Sequence, residues 1–319
     1  MVAIGGSAGG IEALVELVGA LPADLPACVL VTVHIGEQAR SSLPQILTRS
    51  GPLTARHPRH GEPLRTGHIY VAPPGFHLLA AGGVARLSRG PRVNRHRPAV
   101  DVMFGSAARW AREQVVAVVL SGLLDDGAVG AALVARSGGR VVIQDPAEAG
   151  FDSMPRAALA GAPSAAVVPS GQLGRTVVAM VGRGEPEGAA DGKQAGSEMP
   201  MVERGSPLFA AHDDARLTRL VCPECGGSLA EVQLPHIVYY RCYVGHQFGP
   251  KTLEAAQADA AERKLWTGVA ALEDHAALAR HLADQDDGYR EVADQAACLA
   301  KAMRAHLNAP GGRDARTSG

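Results

Sequence analysis

The fold is decided by the stretch Val2-Ala3-Ile4-Gly5-Gly6-Ser7-Ala8-Gly9-Gly10, which leads from an apolar run into an apolar helical pattern. Glycines on both sides of Ser7 permit a sharp turn between a strand and a helix, and the first amides of that helix point back at the serine hydroxyl. Such a turn suits a nucleophile beside an oxyanion site. A dinucleotide-binding loop and a simple strand–helix turn stay open as alternatives, although the G-x-G-x-x-G pattern needs a glycine where Ser7 stands.

Two further apolar runs end in polar side chains. Cys28–Val33 is followed by His34, and Val115–Leu120 is followed by a loop that contains Asp125 and Asp126. Continuous apolar runs are typical of parallel strands buried on both faces, and open α/β sheets bind ligands at the carboxyl ends of their strands. A serine, a histidine and a carboxylate would therefore meet in one crevice, as acyl transfer requires. Taken singly, the histidine fits a hydrogen-bonded structural role, and the two acids fit a helix cap.

Apolar runs alternate with helical patterns up to Val181, and the last strand candidates are Val141–Ile143 and Ala165–Val168. This alternation predicts an α/β fold, a doubly wound and mostly parallel sheet with helices on both faces. The 319-residue chain is 46% hydrophobic with a net charge of -1, which excludes a general attraction to nucleic acid. No apolar run is long enough to span a bilayer and no signal peptide is evident, so a cytoplasmic protein without membrane insertion is expected.

Several short motifs lie in order along residues 1 to about 183. They are Gly5–Gly10, Val33-His34, Tyr70–His77, Arg97–Phe104, Leu120-Ser121-Gly122, Asp126-Gly127, Gln144-Asp145-Pro146 and Met154-Pro155-Arg156. Together they make this segment resemble the catalytic domain of the chemotaxis protein-glutamate methylesterases. The resemblance implies a hydrolase, without a catalytic cofactor, that removes methyl groups from glutamate γ-methyl esters on chemoreceptors. It also implies deamidation of receptor glutamines by the same acyl chemistry, with glutamate-rich receptor helices as partners.

The resemblance also assigns roles within the crevice. It implies Ser7 as nucleophile, His34 as general base and Asp126 as the acid that orients the histidine. The backbone amides of Ala8 and Leu123 would hold the oxyanion. Of the two adjacent acids it selects the one directly before Gly127, and it leaves the other without a catalytic role.

The chain departs from the family pattern in several places, one of which is that Ile35-Gly36 follows His34 where the family has Met-Pro or Leu-Pro. The family reads Gly-Met-Gly where this chain has Gly122-Leu123-Leu124. A leucine resists the positive φ that a glycine adopts, so we expect the loop that carries Asp126 to differ in shape. Family members also carry an N-terminal receiver domain, whereas the first catalytic strand is expected to begin at Met1. Either the esterase stands alone and is controlled by other means, or the start lacks upstream residues.

A second strong signal is a pair of metal-ligand motifs. Cys222 and Cys225 form a C-x-x-C knuckle, and Cys242 and His246 follow after a strand-like run. This set predicts a structural Cys₃His zinc site in a small ribbon, because four protein ligands leave no open position for water. A redox C-x-x-C is the rival interpretation. The remaining cysteines, at positions 28 and 298, are expected to be buried.

The composition suggests five segments. A methylesterase-like catalytic domain at 1–183 precedes a flexible linker at 184–215, a zinc-ribbon-like module at 216–250, a helical hairpin at 251–308 and a disordered tail at 309–319. Because the linker is polar and unpatterned, few contacts are expected between the ribbon and the catalytic domain.

The C-terminal segment shows helical spacing on both sides of Asp286-Asp287-Gly288. The apolar positions are Leu265, Val269, Leu272, Ala276 and Leu282 in the first helix and Val292, Ala296, Leu299, Met303 and Leu307 in the second. This spacing is typical of a helical hairpin that folds on itself, and self-association into a homo-oligomer is the alternative.

Two questions of function stay open at this point. Arg86, Arg89, Arg92, Arg95, His96 and Arg97 form a basic cluster, either a solvated loop or a docking site for an acidic partner. The alternative to an esterase is a non-catalytic interaction protein that binds signalling partners through its esterase-like domain and zinc ribbon. The Ser7, His34 and Asp126 set favours the enzyme.

Overall fold

A computed structural model describes residues 1–182, 215–284 and 286–309. Apart from Ala215 and Ala309, the predicted linker and tail lie outside the described residues. The chain divides into two compact units, Met1–Leu253 and Glu254–Gly319. Within the described ranges, no helix combines the length and the apolar character needed to cross a membrane.

The first unit is built on a central parallel sheet. Its first ten strands are β1 (Val2–Gly6), β2 (Val29–Val33), β3 (Thr54–Arg56), β4 (Glu62–Pro63), β5 (His68–Val71), β6 (His77–Ala81), β7 (Val84–Ser88), β8 (Val116–Val119), β9 (Arg140–Gln144) and β10 (Ala166–Val168). Seven of them form one sheet in the order β10-β9-β8-β1-β2-β5-β3, with every neighbouring pair parallel. The other three form a small antiparallel sheet in the order β4-β7-β6.

Helices cover both faces of the parallel sheet. They are α1 (Gly10–Gly19), α2 (Leu43–Ser50), α3 (Val100–Ala111), α4 (Ala128–Arg136), α5 (Ser153–Gly161) and α6 (Leu173–Val181). Alternate strand residues point to opposite faces, so Ile4 and Val31 pack with α1, α2 and α6, while Ala3 and Leu30 pack with α3, α4 and α5. The predicted doubly wound fold is confirmed.

The ribbon strands belong to the same compact unit. They are β11 (Arg216–Val221), β12 (Ser228–Gln233), β13 (Val238–Cys242) and β14 (Gln247–Phe248), which form an antiparallel sheet in that order. Val232 and Tyr239 of this sheet share a buried cluster with Val102 of α3 and Val129 of α4. The expectation of few contacts between ribbon and catalytic domain is therefore wrong, because the ribbon has too little apolar surface for a core of its own and uses the outer face of α3 and α4.

The last two helices are α7 (Pro250–Leu282) and α8 (Gly288–Asn308), and the unit boundary falls within α7. In the second unit, Val269, Ala276 and Ala296 are buried as the helical spacing predicts. Leu265 and Leu299 are 43% and 52% exposed, because small residues such as Ala279, Ala293 and Ala300 occupy the buried face instead. Cys28 is buried but Cys298 is exposed, so the prediction for the latter is wrong.

Candidate active site

The candidate site lies at the topological switch point of the parallel sheet, where the strand order reverses. From β1 the chain builds outward through β2 in one direction, and it later returns to β8 on the other side of β1. Crevices at the carboxyl ends of such strands are the usual ligand sites of open α/β sheets. Ser7 follows β1, His34 follows β2 and Asp126 follows β8, so the three residues converge at this edge.

The three side chains form a continuous chain of hydrogen bonds. His34 Nδ1 lies 3.0 Å from Ser7 Oγ, and His34 Nε2 lies 2.6 Å from Asp126 Oδ2. In the neutral tautomer that this arrangement favours, Nε2–H donates to the carboxylate and Nδ1 accepts the serine hydroxyl. The structure therefore brings together the three residues that the sequence singled out.

Asp126 is held on all sides by donors. Its Oδ2 accepts the Val100 backbone N–H at 2.7 Å, and its Oδ1 accepts the Asp101 N–H at 3.1 Å and Asn94 Nδ2–H at 2.9 Å. Burial by itself would raise the pKa of the Asp126 carboxyl, but hydrogen bonds from His34, Val100 and Asn94 lower that pKa well below its ordinary value. Asp126 is therefore a fixed anion at the N-terminus of α3.

A second buried acid lies beside it. Asp101 is fully buried in α3, and it accepts Asn94 Nδ2–H at 2.7 Å and the Gly130 N–H at 2.7 Å. Burial, and then the charge of Asp126, raise the pKa of Asp101 well above its ordinary value. The sequence analysis did not predict that Asp101 would lie beside Asp126 and share the Asn94 amide with it. The signal available was an acid inside the apolar helical run Val100–Phe104.

The ring of His96 stacks on the ring of His34. The ring centroids of His34 and His96 are 3.6 Å apart and the rings are inclined by 11°. Burial, and then the neighbouring His34, lower the pKa of His96 to about 4, so this ring is neutral at physiological pH. His96 belongs to the basic cluster, whose Arg92 and Arg97 form ion pairs with Glu37 at 2.9 and 3.2 Å. Glu37 therefore neutralises part of the positive charge that Arg92 and Arg97 would offer to an acidic partner.

The loop after β8 contains a residue with a side chain in the left-handed region. Leu124 adopts a φ of 63°, so it holds the positive φ that a leucine was expected to resist. A Cβ on Gly122 would overlap Met154 and the Cβ of Ser7, which is why glycine is required there. Leu123 is 52% exposed, and among the described residues no acceptor binds the backbone N–H of Ala8 or Leu123.

Asp125 faces away from the histidine. Its carboxylate accepts the Lys251 N–H at 2.8 Å, the Thr252 N–H at 3.2 Å and the Thr252 hydroxyl at the start of α7. Burial raises the pKa of Asp125, and the Thr252 hydroxyl partly offsets this rise. The acid thus caps a helix, but α7 rather than the helix that follows it in sequence.

The predicted metal ligands also come together. The ligand atoms of Cys222, Cys225, Cys242 and His246 all lie within 4.8 Å of one another. The Sγ atoms of Cys225 and Cys242 are 3.7 Å apart, and Cys242 Sγ is 3.5 Å from His246 Nδ1. Ligands of a tetrahedral zinc ion at Zn–S of about 2.3 Å and Zn–N of about 2.0 Å would be separated by roughly 3.5–3.8 Å, so the donor set fits this metal.

Comparison with known proteins places residues 2–177 in a family model described as CheB methylesterase. Protein-glutamate methylesterase/protein-glutamine glutaminase 3 of Burkholderia lata is 39% identical over 183 residues, which are 56% of this chain and 50% of the relative. The enzyme of the same name, numbered 2, from Anaeromyxobacter dehalogenans is 40% identical over 159 residues, or 50% of this chain and 47% of the relative. This chain spans about half the length of the curated relatives it matches.

The fold agrees with a solved structure. The crystal structure of the Thermotoga maritima CheB methylesterase catalytic domain aligns with a TM-score of 0.54 and 30% identity, over 56% of this chain and 97% of that domain. The family model matches more than half of the 319 residues, and the matched segment contains the whole parallel sheet with Ser7, His34 and Asp126 at its carboxyl edge. The chain belongs to the CheB methylesterase family.

Proposed function

We propose that the protein is a serine hydrolase that removes methyl groups from glutamate γ-methyl esters of chemoreceptors. The observation that carries the proposal is the hydrogen-bond chain from Ser7 Oγ through His34 to Asp126 at the edge of the sheet. A hydroxyl, an imidazole and a buried carboxylate in this order are the minimum set for acyl transfer through a covalent intermediate.

In the first half of the reaction, Ser7 Oγ attacks the ester carbonyl carbon while His34 Nδ1 takes the hydroxyl proton. The bond between that carbon and the methoxy oxygen then breaks, and the same proton passes from Nδ1 to the leaving oxygen, which departs as methanol. Asp126 stabilises the imidazolium that forms between these steps and keeps the proton of Nε2 in place.

In the second half, water replaces methanol. His34 Nδ1 takes a proton from the water, whose oxygen attacks the acyl carbon, and the proton then returns to Ser7 as the glutamate carboxylate leaves. The backbone amides of Ala8 and Leu123 are our candidates for holding the oxyanion in both halves, because they follow Ser7 and Gly122 directly at the crevice. Deamidation of glutamine would follow the same steps with ammonia as the leaving group.

The choice of receptor methyl esters as the substrate rests on the relatives. It is supported by relatives named protein-glutamate methylesterase/protein-glutamine glutaminase, of which this chain covers about half. Glutamate-rich receptor helices would be the partner, and the cytoplasm the site of action.

The decisive experiment is methanol release from methylated receptor helices. Ser7→Ala should lose nearly all turnover while still binding the substrate, because the residual rate after loss of a nucleophile comes from binding and oxyanion stabilisation alone. Ser88→Ala is the matched control, since this hydroxyl at the end of β7 accepts the Gly90 N–H and lies outside the chain of hydrogen bonds from Ser7 to Asp126. Near wild-type turnover by Ser7→Ala would refute the mechanism.

We further propose that Cys222, Cys225, Cys242 and His246 hold a structural zinc ion, which would supply folding energy to the ribbon and no catalytic step. Metal analysis should give about one zinc per chain, and Cys225→Ser should abolish it. Cys298→Ser is the control, because this exposed cysteine lies outside the cluster. Equal zinc content in both variants would contradict the site.

A further inference from the structure

The last ribbon strand, Gly249 and the first turn of α7 contact the residues around Asp126. We call Gln247–Thr252 the clamp segment. The Gln247 carbonyl accepts the Asn94 N–H at 2.7 Å, and the Gly249 N–H donates to Asn94 Oδ1 at 2.8 Å. Lys251 and Thr252 donate to Asp125, the neighbour of Asp126. The clamp segment, more than 120 residues away in sequence, thus binds Asn94, which donates to Asp126, and Asp125, which precedes Asp126.

The contact with Asn94 decides which way its side-chain amide faces. The two Nδ2 hydrogens of Asn94 donate to Asp101 and Asp126, so its Oδ1 must face a donor. Gly249 supplies that donor from its backbone. In the opposite orientation, Asn94 would present an oxygen to two buried carboxyl groups. The Gly249 N–H therefore fixes the orientation in which Asn94 donates to Asp126.

The contact with Asp125 is equally close. A Cβ on Gly249 would overlap the Asp125 carboxylate, so only glycine permits the approach. Asp125 and Asp126 are adjacent on one loop, and their carboxylates accept backbone N–H groups at the N-termini of two different helices, α7 and α3. Ser153 Oγ donates to the Leu124 carbonyl at 2.9 Å and holds the same loop from a third side.

We propose that the clamp segment is a positioning element of the esterase, which fixes Asn94 and Asp125 and through them the Asp126 carboxylate. This inference rests on the proposed function, since it assigns the segment a part in that chemistry. The catalytic centre is complete only when the C-terminal ribbon is in place. Residues 247–252 lie outside the family match at 2–177, so this positioning belongs to the extension of this chain.

The experiment replaces Thr252 in the full-length protein. Thr252→Val keeps the buried shape and removes the hydroxyl that donates to Asp125, and Thr252→Ser restores a hydroxyl. Thr267→Val is the matched control on the same helix, because that hydroxyl is exposed and donates only to the Arg263 carbonyl. A fluorophosphonate that labels Ser7 reports two quantities, the fraction of sites that react and the rate at which they react.

The expected result is full labelling of Thr252→Val at a rate about tenfold below wild type, which corresponds to about 1.4 kcal/mol of activation free energy. Thr252→Ser should recover most of the rate, and Thr267→Val should match wild type. An unchanged rate in Thr252→Val would overturn the inference. So would a reduced fraction of labelled sites at the wild-type rate, because that result indicates a purely structural role.

A second measurement separates this inference from the proposed function. If wild-type protein is not labelled at Ser7, the proposed function fails. The His34 Nε2–H resonance in the NMR spectrum then decides the clamp alone, because that proton lies in the 2.6 Å bond to Asp126. A shift of the resonance in Thr252→Val and its return in Thr252→Ser would support the clamp, and an unchanged resonance would refute it.

Discussion

Leu124 shows how a single residue keeps the geometry of its loop at an energetic cost. Its φ of 63° lies in the left-handed region, where an L side chain with a Cβ costs about 1–2 kcal/mol. The loop holds this conformation because Ser153 binds the Leu124 carbonyl and because both acids that follow are tied to helix N-termini. Backbone strain near a reactive centre persists only where the surroundings impose it.

At Leu124, substitution by glycine should therefore give a more stable protein than substitution by alanine, the reverse of the usual order. Both Leu124→Ala and Leu124→Gly remove the side chain, but only glycine relieves the positive φ. We expect the glycine variant to be about 1 kcal/mol more stable than the alanine variant in urea unfolding. At Leu123, whose φ is not positive, alanine should be the more stable of the two. Equal stabilities of the two Leu124 variants would show that the strain is absent.

The two adjacent acids should respond differently to the loss of charge. Asp126→Asn should lower kcat by about 10³–10⁴-fold, because an amide there favours the wrong tautomer of His34. Asp125→Asn should lower kcat by about tenfold, because Asp125 binds the clamp segment and not His34. Steady-state hydrolysis of a model ester measures both. If Asp125→Asn costs more than Asp126→Asn, the assignment of the catalytic acid is wrong.

At the scale of elements, His77 ties three segments together. Its Nε2–H donates to the Pro91 carbonyl at 3.0 Å, and its Nδ1 accepts the Ala99 N–H at 3.3 Å, so β6, the connection after β7 and the start of α3 meet at one neutral ring. Burial lowers the pKa of His77 from 6.5 to about 4, and the bond to Pro91 offsets only part of this shift. Protonation would place a second N–H against the Ala99 donor.

The stability of the fold should therefore fall in acid. His77 and His96 both have a folded pKa of about 4 against an ordinary 6.5, so the unfolded chain binds more protons between these values. Their contribution is complete above pH 6.5 and is lost as the pH falls towards 4, at on the order of 1 kcal/mol per pH unit for each histidine. Urea unfolding across this range measures the slope. His77→Gln should reduce the slope, since glutamine can make both hydrogen bonds without a titratable proton, and an unchanged slope would contradict this origin.

The strands that the sequence analysis predicted are those with buried apolar side chains. Strands β1, β2, β8, β9 and β10 are buried on one or both faces, so their apolar runs predict them directly. The short strands β3 and β4 have too few buried positions to leave a pattern. In the C-terminal helices, alanine occurs on both faces, and spacing alone could not separate the buried face from the exposed one.

The candidate site divides in the same way. Ser7, His34 and Asp126 follow apolar strands. Because the carboxyl ends of parallel strands lie at the same edge of a sheet, the sequence pattern alone predicts that these residues are close together. Asn94 is 155 residues from its donor Gly249, and Asp125 is 126 residues from Lys251. Contacts of this length depend on how the ribbon packs against α3 and α4, and no local pattern in the sequence encodes that packing.

At the scale of the molecule, the ribbon connects the proposed zinc site to the candidate active site. His246, a proposed zinc ligand, directly precedes Gln247, whose carbonyl holds Asn94. The ribbon also shares its buried residues Val232 and Tyr239 with the outer face of α3 and α4. The order imposed by a metal ion would therefore extend beyond the ribbon into the loop that carries Asn94 and His96.

Removal of the proposed zinc ion should consequently slow the proposed esterase, although none of its four ligands belongs to the set Ser7, His34 and Asp126. Chelation should abolish amide protection from hydrogen exchange across Cys222–His246, and it should also reduce protection at Asn94–Ala99 and slow the labelling of Ser7. Cys225→Ser should reproduce this state without a chelator, and Cys298→Ser should resemble the wild type. If zinc leaves and both the loop protection and the labelling rate stay at wild-type values, the ribbon and the active site are independent, as the polar linker alone would have suggested.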